Sequence, residues 1–420
     1  MLTHSPPLPL VIDYQLDEDD DISAEDEEHA ILALKQYDRV RRVRFMLPDT
    51  SLQKLIVAMD GEYPILEYLI IWHLGEKSST LMLPETLQAP HLRHLVLFGF
   101  SLPIGSRSLT TAVGLVTFVL IMGHPSTYFH PNTLLQWLSF MPQLENLAVG
   151  FSLAVPSRDV EKQFTHTPTI MTAVTLPNLR SFGFRGVGTC LEAFLHRITT
   201  PRLEKLRIYI LNQLTFSVPR LLQFVSTTDN LRFKIAKFTF ADTELDLKVY
   251  PHEEAKAYAL SIFVNSRHLD WQVSSAAQIS NSLGPTFSAV ENLTLGHSVH
   301  NRSSEEHNET DPTDWRKLLI SFRNVKTLRI AEGLVKELSR CLELDDGELP
   351  SELLPELQEL TYVGSGSTGD KFTSFIDARQ DAGRSITLIR RSPSPDPTVS
   401  SVEPSSITSA SGETGSDLAT

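Results

Sequence analysis

Short runs of alternating apolar and polar positions recur along the chain, and they share the pattern Pro-x-Leu-x-x-(Leu/Phe)-x-apolar. Copies of this pattern begin at Pro64, Pro90, Pro142, Pro177, Pro201 and Pro355. Copies without the proline have their first apolar residue at Val40, Leu115, Ile235, Val290 and Val325, and a further unit fits residues 260–264. Alternation with a period of two predicts a short strand with one buried face in each copy. Proline at the front ends a preceding helix and suits the start of a strand.

Several of the predicted strands are followed by apolar residues at helical spacing. Residues 191–198 and 334–342 place apolar side chains at every third or fourth position, which gives each predicted helix one apolar face. Further short helices fit residues 133–141, 218–226, 314–322 and 371–381.

Strand starts recur every 23 to 35 residues, except for one interval of 55 that the unit at 260–264 divides. A strand and a helix at this spacing predict a leucine-rich-repeat solenoid, because such units bury their cores only by stacking. We therefore expect an α/β fold with one curved parallel sheet and helices on its convex side. No ladder of buried asparagines follows the strands, so the solenoid should be irregular. The alternative is an ordinary α/β domain with leucine-rich strands.

Composition narrows the class of protein. Of 420 residues, 41% are hydrophobic and 21% charged, which is typical of a folded, soluble chain. Cys190 and Cys341 stand alone, which excludes a disulfide framework and a zinc finger. We recognise no signal peptide and no membrane-length apolar run, so we expect a cytoplasmic or nuclear protein without a membrane partner.

Charge is distributed unevenly along the chain. The formal net charge is −14, and nine acidic residues lie between positions 17 and 28 without any Lys or Arg. Because the remaining body is nearly neutral, a nucleic-acid partner is not expected. The composition predicts a disordered Pro-rich and acidic segment at 1–28, the solenoid at 29–390 and a disordered Ser/Pro-rich tail at 391–420.

The order of several segments resembles mushroom-type fungal F-box/leucine-rich-repeat proteins over roughly residues 6–388. The resemblance rests on SPPLPLVIDY, ALKQYDRVRRVRF, LPETLQAPHLRHLVL, TLLQWLSFMPQLENL, LDWQVSSAAQIS, WRKLLISFRNVKTLRI, LPSELLPELQELTY and FIDARQDAGRSITL. It implies a substrate receptor whose repeats hold a target protein and whose F-box docks on the adaptor of a cullin-RING ubiquitin ligase. We recognise no F-box ahead of the first repeat. A scaffold or decoy without an F-box is therefore the alternative.

Two motifs could carry chemistry, and we weigh each against a simpler interpretation. Residues 364–369 spell GxGxxG, but Asp370 stands where a phosphate-binding loop needs Lys, and no acidic residue follows at the spacing of a dinucleotide site. Nucleotide binding by loop 364–371 is thus the less favoured alternative to a loop that caps the last repeat. His297, His300, Glu305, Glu306 and His307 lie in a long polar stretch without regular ligand spacing. We expect no cofactor, no metal and no enzymatic activity.

The remaining candidate is a surface, formed by the residues that alternate with the buried ones and face the concave side of the sheet. Aromatic and cationic residues are common there, and such residues are frequent anchors of protein interfaces. An alternative is that Tyr68, Ile70, Trp72 and Phe98 in the first repeats pack against one another or under a folded-back N-terminal segment. We predict that an unidentified partner protein binds to Tyr68, Trp72, Phe98, Arg185, Lys205, Arg207, Tyr209 and Arg329.

Overall fold

The computed structural model describes residues 8–15, 22–73, 81–102, 106–123, 131–151, 173–211, 218–228, 230–298, 311–343, 353–363 and 371–391. The strands in these segments are β1 (Leu10–Gln15), β2 (Val40–Leu47), β3 (Tyr68–His73), β4 (Leu81–Met82), β5 (His94–Phe98), β6 (Phe100–Ser101), β7 (Thr117–Met122), β8 (Asn146–Phe151), β9 (Val174–Thr175), β10 (Ser181–Gly186), β11 (Ile198–Thr199), β12 (Lys205–Ile210), β13 (Ile235–Ala241), β14 (Glu244–Tyr250), β15 (Leu260–Asn265), β16 (Asn292–Ser298), β17 (Thr327–Ile330), β18 (Glu359–Val363) and β19 (Thr387–Arg391).

The helices of the described segments lie between the strands. They are α1 (Ala24–Leu34), α2 (Asp49–Ala58), α3 (Arg107–Thr111), α4 (Pro131–Ser139), α5 (Gly188–Leu195), α6 (Pro219–Ser226), α7 (Leu269–Ser282), α8 (Gly284–Phe287), α9 (Pro312–Ile320), α10 (Val335–Leu342) and α11 (Thr373–Asp381). Neighbouring helices contact each other, as α1 contacts α2 and α9 contacts α7 and α10. None of these helices is long and apolar enough to cross a lipid bilayer.

One sheet of fifteen strands organises the fold, in the order β1-β2-β3-β5-β7-β8-β10-β12-β15-β14-β13-β16-β17-β18-β19. All its neighbours pair in parallel except those of β14. The predicted α/β solenoid with a large, mostly parallel sheet is therefore confirmed. The remaining short strands form two separate pairs, β4 with β6 and β9 with β11.

The core lies between this sheet and the helices, and its residues stack in register from repeat to repeat. Leu69 pairs with Leu95, Leu95 with Phe118 and Phe118 with Leu147, and each of these side chains is almost completely buried. A core residue therefore packs mainly against its counterparts in the repeats before and after, as expected for a solenoid.

The prolines occupy a turn just ahead of each strand. In all the copies that begin with proline, the Leu N–H donates to the carbonyl of the residue before the proline, as from Leu92 to Ala89 at 3.1 Å and from Leu203 to Thr200 at 3.2 Å. Proline is thus the second residue of a β-turn, where its fixed φ is favourable. Copies without proline close the same turn, for example from Leu115 to Ala112 at 3.2 Å. The pattern Pro-x-Leu is the signature of this turn rather than of the strand itself.

The prediction of one uniformly parallel sheet is wrong at β13–β15. After β12 the chain enters β13, turns back through antiparallel β14 and returns through β15, so that β15 rather than β13 lies beside β12. The unit predicted at 260–264 is β15 and does fill the long interval. Asp242 and Thr243 alone separate β13 from β14, and so short a connection favours a hairpin over a crossover helix.

The predicted disordered segment at 1–28 is also wrong where the structure describes it. Strand β1 pairs in parallel with β2, and its Ile12 is buried because residues 10–14 continue the alternation of the repeats. Helix α1 begins at Ala24, where the Ser23 side chain caps it by accepting from the Asp26 N–H. The predicted tail beyond Arg391 and the loop 364–370 lie outside the described residues.

A buried arginine ties the last helix to the last proline-containing turn. The Arg379 guanidinium on α11 donates to the carbonyl oxygens of Leu353, Leu354, Pro355 and Leu357 at 3.1–3.4 Å. Leu354 has a φ of 51°, in the left-handed region that a leucine seldom adopts. Arg379 thus fixes a turn whose backbone would otherwise be unfavourable.

We expect Leu206→Ala in β12 to lower the free energy of unfolding by about 2–5 kcal/mol, because Leu206 is fully buried and its removal leaves a cavity. Val57→Ala on α2 is the matched control, since Val57 is 69% exposed and its loss should change stability by less than about 0.5 kcal/mol. Chemical denaturation followed by circular dichroism measures both. Equal effects of the two substitutions would contradict the inward orientation of Leu206.

Candidate functional site

A groove of about 420 Å³ lies on the face of the sheet opposite the core. Its lining comes from β1, β2, β3, β5, β7, β8, β10 and β12 of the large sheet and from Tyr258, which precedes β15. Alternation puts the residues between the buried ones on this face, as in β3, where Leu69 and Ile71 are buried while Ile70 and Trp72 remain half-buried. We call this feature the groove.

Strand register arranges the groove side chains in rows that cross the strands. An amino-end row runs from Arg42 through Tyr68, His94, Thr117, Asn146 and Ser181 to Lys205. A middle row runs from Arg44 through Ile70, Val96, Val119, Ala148 and Gly183 to Arg207. A carboxyl-end row runs from Met46 through Trp72, Phe98, Ile121, Gly150 and Arg185 to Tyr209.

Large aromatic side chains form one side of the groove. Trp72 and Phe98 stack with ring centroids 4.4 Å apart and an interplanar angle of 16°. The row continues to Ile121, which is almost completely buried. We call Trp72 and Phe98 the aromatic wall. The two rings fix each other's orientation and still leave part of their surface open to the groove.

A second stack crosses the amino-end row. The Arg42 guanidinium lies 4.5 Å from the centroid of the Tyr68 ring, and that ring stacks on His94 at 4.4 Å with an angle of 4°. Nδ1 of His94 lies 3.2 Å from Oγ1 of Thr117. Burial of the imidazole, reinforced by the charges of Arg93 and Arg42, lowers the pKa of His94. The His94 imidazole therefore lies between the ring of Tyr68 and the hydroxyl of Thr117, where burial favours its neutral form.

Cations form the opposite side of the groove. Arg207 donates from Nη2 to the Tyr209 hydroxyl at 2.7 Å, and its guanidinium lies 5.0 Å from the centroid of the same ring. Arg185 approaches that ring at 5.4 Å, and Lys205 lies 4.7 Å from the ring of Tyr258. We call Arg185, Lys205 and Arg207 the cationic wall.

The Tyr209 ring also stacks on Phe263 of β15, with centroids 4.2 Å apart and an angle of 9°. Tyr209 is consequently a packed platform for the two guanidinium groups. Its replacement by alanine would remove folding contacts together with any binding contacts.

Burial has an electrostatic cost at the cationic wall. Burial lowers the pKa of Arg185, and burial together with the charge of Arg207 lowers the pKa of Lys205. Two acids lie nearby on β14. Burial raises the pKa of Asp246 despite its 2.7 Å ion pair with Lys248, and burial followed by the charge of Asp246 raises that of Glu244.

The structure brings seven of the eight predicted site residues together in the groove: Tyr68, Trp72, Phe98, Arg185, Lys205, Arg207 and Tyr209. Arg329 lies on the same face of the sheet, but on β17, which is on the far side of the antiparallel strand β14. It is not part of the groove lining. Its guanidinium lies 3.7 Å from the carboxylate of Glu253. The alternative prediction that the first aromatics pack against one another also holds, since Trp72 and Phe98 stack while they line the groove.

Sequence reasoning missed the residues that β14 and β15 bring beside the cationic wall, chiefly Phe263, Tyr258 and Asp246. A signal for them existed, since residues 235–241 and 244–250 alternate on either side of a two-residue connection, a pattern that predicts a hairpin. The role of Ala148 and Gly183 in the middle row was also missed. The sequence of one strand does not show that its small residue will lie beside another small residue on the neighbouring strand.

Of the five candidate metal ligands in the polar stretch, only His297 lies in the described residues, near the end of β16. His300, Glu305, Glu306 and His307 lie outside them. Within the described segments, no three His, Cys, Asp or Glu side chains are grouped as metal ligands.

No protein-family model matches the sequence, and no curated protein is significantly similar to it. Among solved structures, the chain is similar to the leucine-rich-repeat-containing protein LegL7 from Legionella pneumophila, with 12% sequence identity. The alignment covers 82% of this chain and 93% of LegL7, with a TM-score of 0.28. A superposition with that TM-score is too poor to assign the fold. The strand order and register of this chain assign it instead.

We expect Arg42→Gln to raise the pKa of His94, because the Arg42 charge is one of the causes that lower it. NMR titration of the His94 ring measures the midpoint, and Arg107→Gln on α3 is a control that carries no charge interaction with His94 in this fold. Because the folded state lowers this pKa, the contribution of His94 to stability is present above the unfolded pKa and is lost as the pH falls. An unchanged midpoint in Arg42→Gln would contradict the stacked arrangement.

We expect Gly150→Ala to destabilise the fold by about 1–3 kcal/mol, because its Cβ would lie 2.3 Å from the backbone oxygen of Arg185 and force β8 and β10 apart. Gly114→Ala is the matched control, since a Cβ there meets no atom within 4 Å. Thermal unfolding of the two variants measures the difference. Similar melting temperatures would mean that β10 does not approach β8 as closely as described.

Proposed function

We propose that this chain is a non-enzymatic protein-interaction module and that the groove holds a partner protein. One observation carries the proposal: the aromatic and cationic side chains of the groove are fixed by stacking across neighbouring strands and yet remain partly exposed. Ordered side chains of this kind lose little conformational entropy on binding, which is why tyrosine, tryptophan and arginine dominate the energetics of protein interfaces.

The burial of the cysteines argues against a cysteine nucleophile. Cys190 and Cys341 are both buried, and burial raises the pKa of Cys190 to about 12. A thiol with that pKa is not a thiolate nucleophile at neutral pH. Nucleotide binding by loop 364–371 is the alternative, and stabilisation of the chain by millimolar nucleotide would support it.

A finer proposal comes from the resemblance to F-box/leucine-rich-repeat proteins, namely that the partner is a substrate of a cullin-RING ubiquitin ligase. Strand β1 and helix α1 belong to the stack of repeats, since β1 pairs with β2 and α1 packs on α2. They are therefore not a separate docking domain for the ligase adaptor. A pull-down of the purified chain with that adaptor tests this role, and a chain that does not bind the adaptor would favour a scaffold or decoy.

We expect Arg185→Gln combined with Arg207→Gln to abolish recovery of specific partner proteins in affinity purification with mass spectrometry. Glutamine keeps part of the side-chain volume and removes the charge, so melting should change little. Lys336→Gln combined with Arg323→Gln is the matched control, because both residues are exposed away from the groove. Partners that are still recovered with the Arg185 and Arg207 variant but are lost with the Lys336 and Arg323 variant would place the interface outside the groove.

A further inference from the structure

The floor of the groove is formed by small side chains at its centre. Between the aromatic wall and the cationic wall, the middle row passes from Val119 on β7 to two small residues, Ala148 on β8 and Gly183 on β10. A Cβ at Gly183 would lie 3.2 Å from the Cβ of Ala148, so the two strands already meet closely with these small residues. The result is a trough with the aromatic wall on one side and the cationic wall on the other.

The width of this trough corresponds to a short extended peptide. Phe98 on β5 and Arg207 on β12 are separated by four strand-to-strand steps, from β5 to β7, β8, β10 and β12. At about 4.8 Å per step this distance is roughly 19 Å along the sheet. An extended chain advances about 3.3 Å per residue, so about six residues bridge the two walls.

The charge of the groove is opposite to that of the protein as a whole. Among its described lining residues, Arg42, Arg44, Arg185, Lys205 and Arg207 are cationic and Asp13 is the one carboxylate, whereas the whole chain has a formal net charge of −14. Within the described part of the chain, neither Arg185 nor Lys205 lies in an ion pair. The lowered pKa values of these two residues show that the fold desolvates their charges without full compensation.

We propose that the groove binds an extended acidic segment of the partner protein, with a large apolar side chain at the aromatic wall and carboxylates about six residues away at the cationic wall. This inference rests on the proposed function and specifies the chemistry of the partner. Carboxylates fit the cationic wall because guanidinium groups pair with them in a planar, bidentate geometry. A small floor fits the peptide backbone, since Ala148 and Gly183 leave it room to lie flat across the strands.

A protein segment fits the groove better than a nucleic acid. The cations of the wall are held against aromatic rings at fixed positions, as Arg207 is against Tyr209 and Phe263. A nucleic-acid site needs a row of cations that follows successive phosphates, because phosphate neutralisation supplies most of the affinity. From Arg44 to Arg207 the middle row is uncharged over Ile70, Val96, Val119, Ala148 and Gly183.

Selection from a random dodecapeptide library displayed on phage, with the full chain as bait, tests the inference. We expect selected peptides to combine Asp or Glu with a Trp, Phe or Leu about six positions away. Fluorescence anisotropy with a selected peptide should show binding at least about tenfold weaker for Arg207→Gln, and little change for Lys336→Gln. Replacing the acidic residues of the peptide by Asn and Gln should remove the difference between the Arg207→Gln variant and the original chain.

A variant that fills the trough provides a second readout that does not remove any charge. Ala148→Leu should weaken binding of the same peptide while circular dichroism and the melting temperature stay close to those of the original chain. Unchanged affinity in this variant would overturn the placement of the peptide across β8 and β10.

Other outcomes contradict the inference in distinguishable ways. If the library yields no acidic peptide while a purified partner protein still depends on Arg185 and Arg207, the acidic-segment inference is wrong and the proposed function stands. If neither depends on these residues, both are wrong. Tighter binding of a labelled oligouridylate than of any selected peptide would identify a nucleic-acid site instead. A rise in peptide affinity when Asp17 to Asp21 are replaced by Asn and Gln would show that the chain's own acidic run occupies the groove.

Discussion

Each strand of this protein can bury its apolar side only together with the strands next to it, and the parallel register makes that burial continuous. Leu69, Leu95, Phe118 and Leu147 are counterparts in successive repeats and are nearly inaccessible to solvent. Because side chains alternate along a strand, the same register that stacks the core also aligns the opposite face. The rows of the groove are thus a direct consequence of core packing.

The turn ahead of each strand is followed by backbone hydrogen bonds that fix the register between neighbouring repeats. After Leu92 closes its turn onto Ala89, the next residue, Arg93, donates to the carbonyl of Glu67 in the repeat before. The same bond links Arg180 to Glu145 and Lys326 to Glu291. Charges of opposite sign meet along this line, as Arg41 meets Glu67 at 3.0 Å, although such exposed ion pairs stabilise a fold only weakly. Backbone bonds, more than the ion pairs, therefore fix the register on which the groove depends.

The antiparallel strand β14 interrupts the parallel order of the sheet at the point where the cationic wall is completed. Because β15 lies beside β12, Phe263 supports Tyr209, and Tyr258 reaches Lys205. Had β13 followed β12 directly, the neighbours of Tyr209 would have come from a different strand with different side chains. Strands β15, β14 and β13 also separate Arg329 on β17 from the groove. This predicted binding residue therefore lies beside Glu253 and not among the other predicted residues.

The sequence by itself determined the strands of the repeats, several helices and the face on which each candidate residue lies, because alternation, helical spacing and the Pro-x-Leu turn are local properties of the chain. It therefore placed Trp72, Arg185 and Arg207 on one surface. Only the tertiary structure decided which of these residues are neighbours. Strand pairing joins residues far apart in sequence, such as Tyr209 and Phe263, and the small floor at Ala148 and Gly183 becomes a trough only between two walls contributed by other strands. The incorporation of β1 into the sheet was missed for the same reason, since a short alternating run beside acidic residues becomes a strand only through the partner that β2 offers.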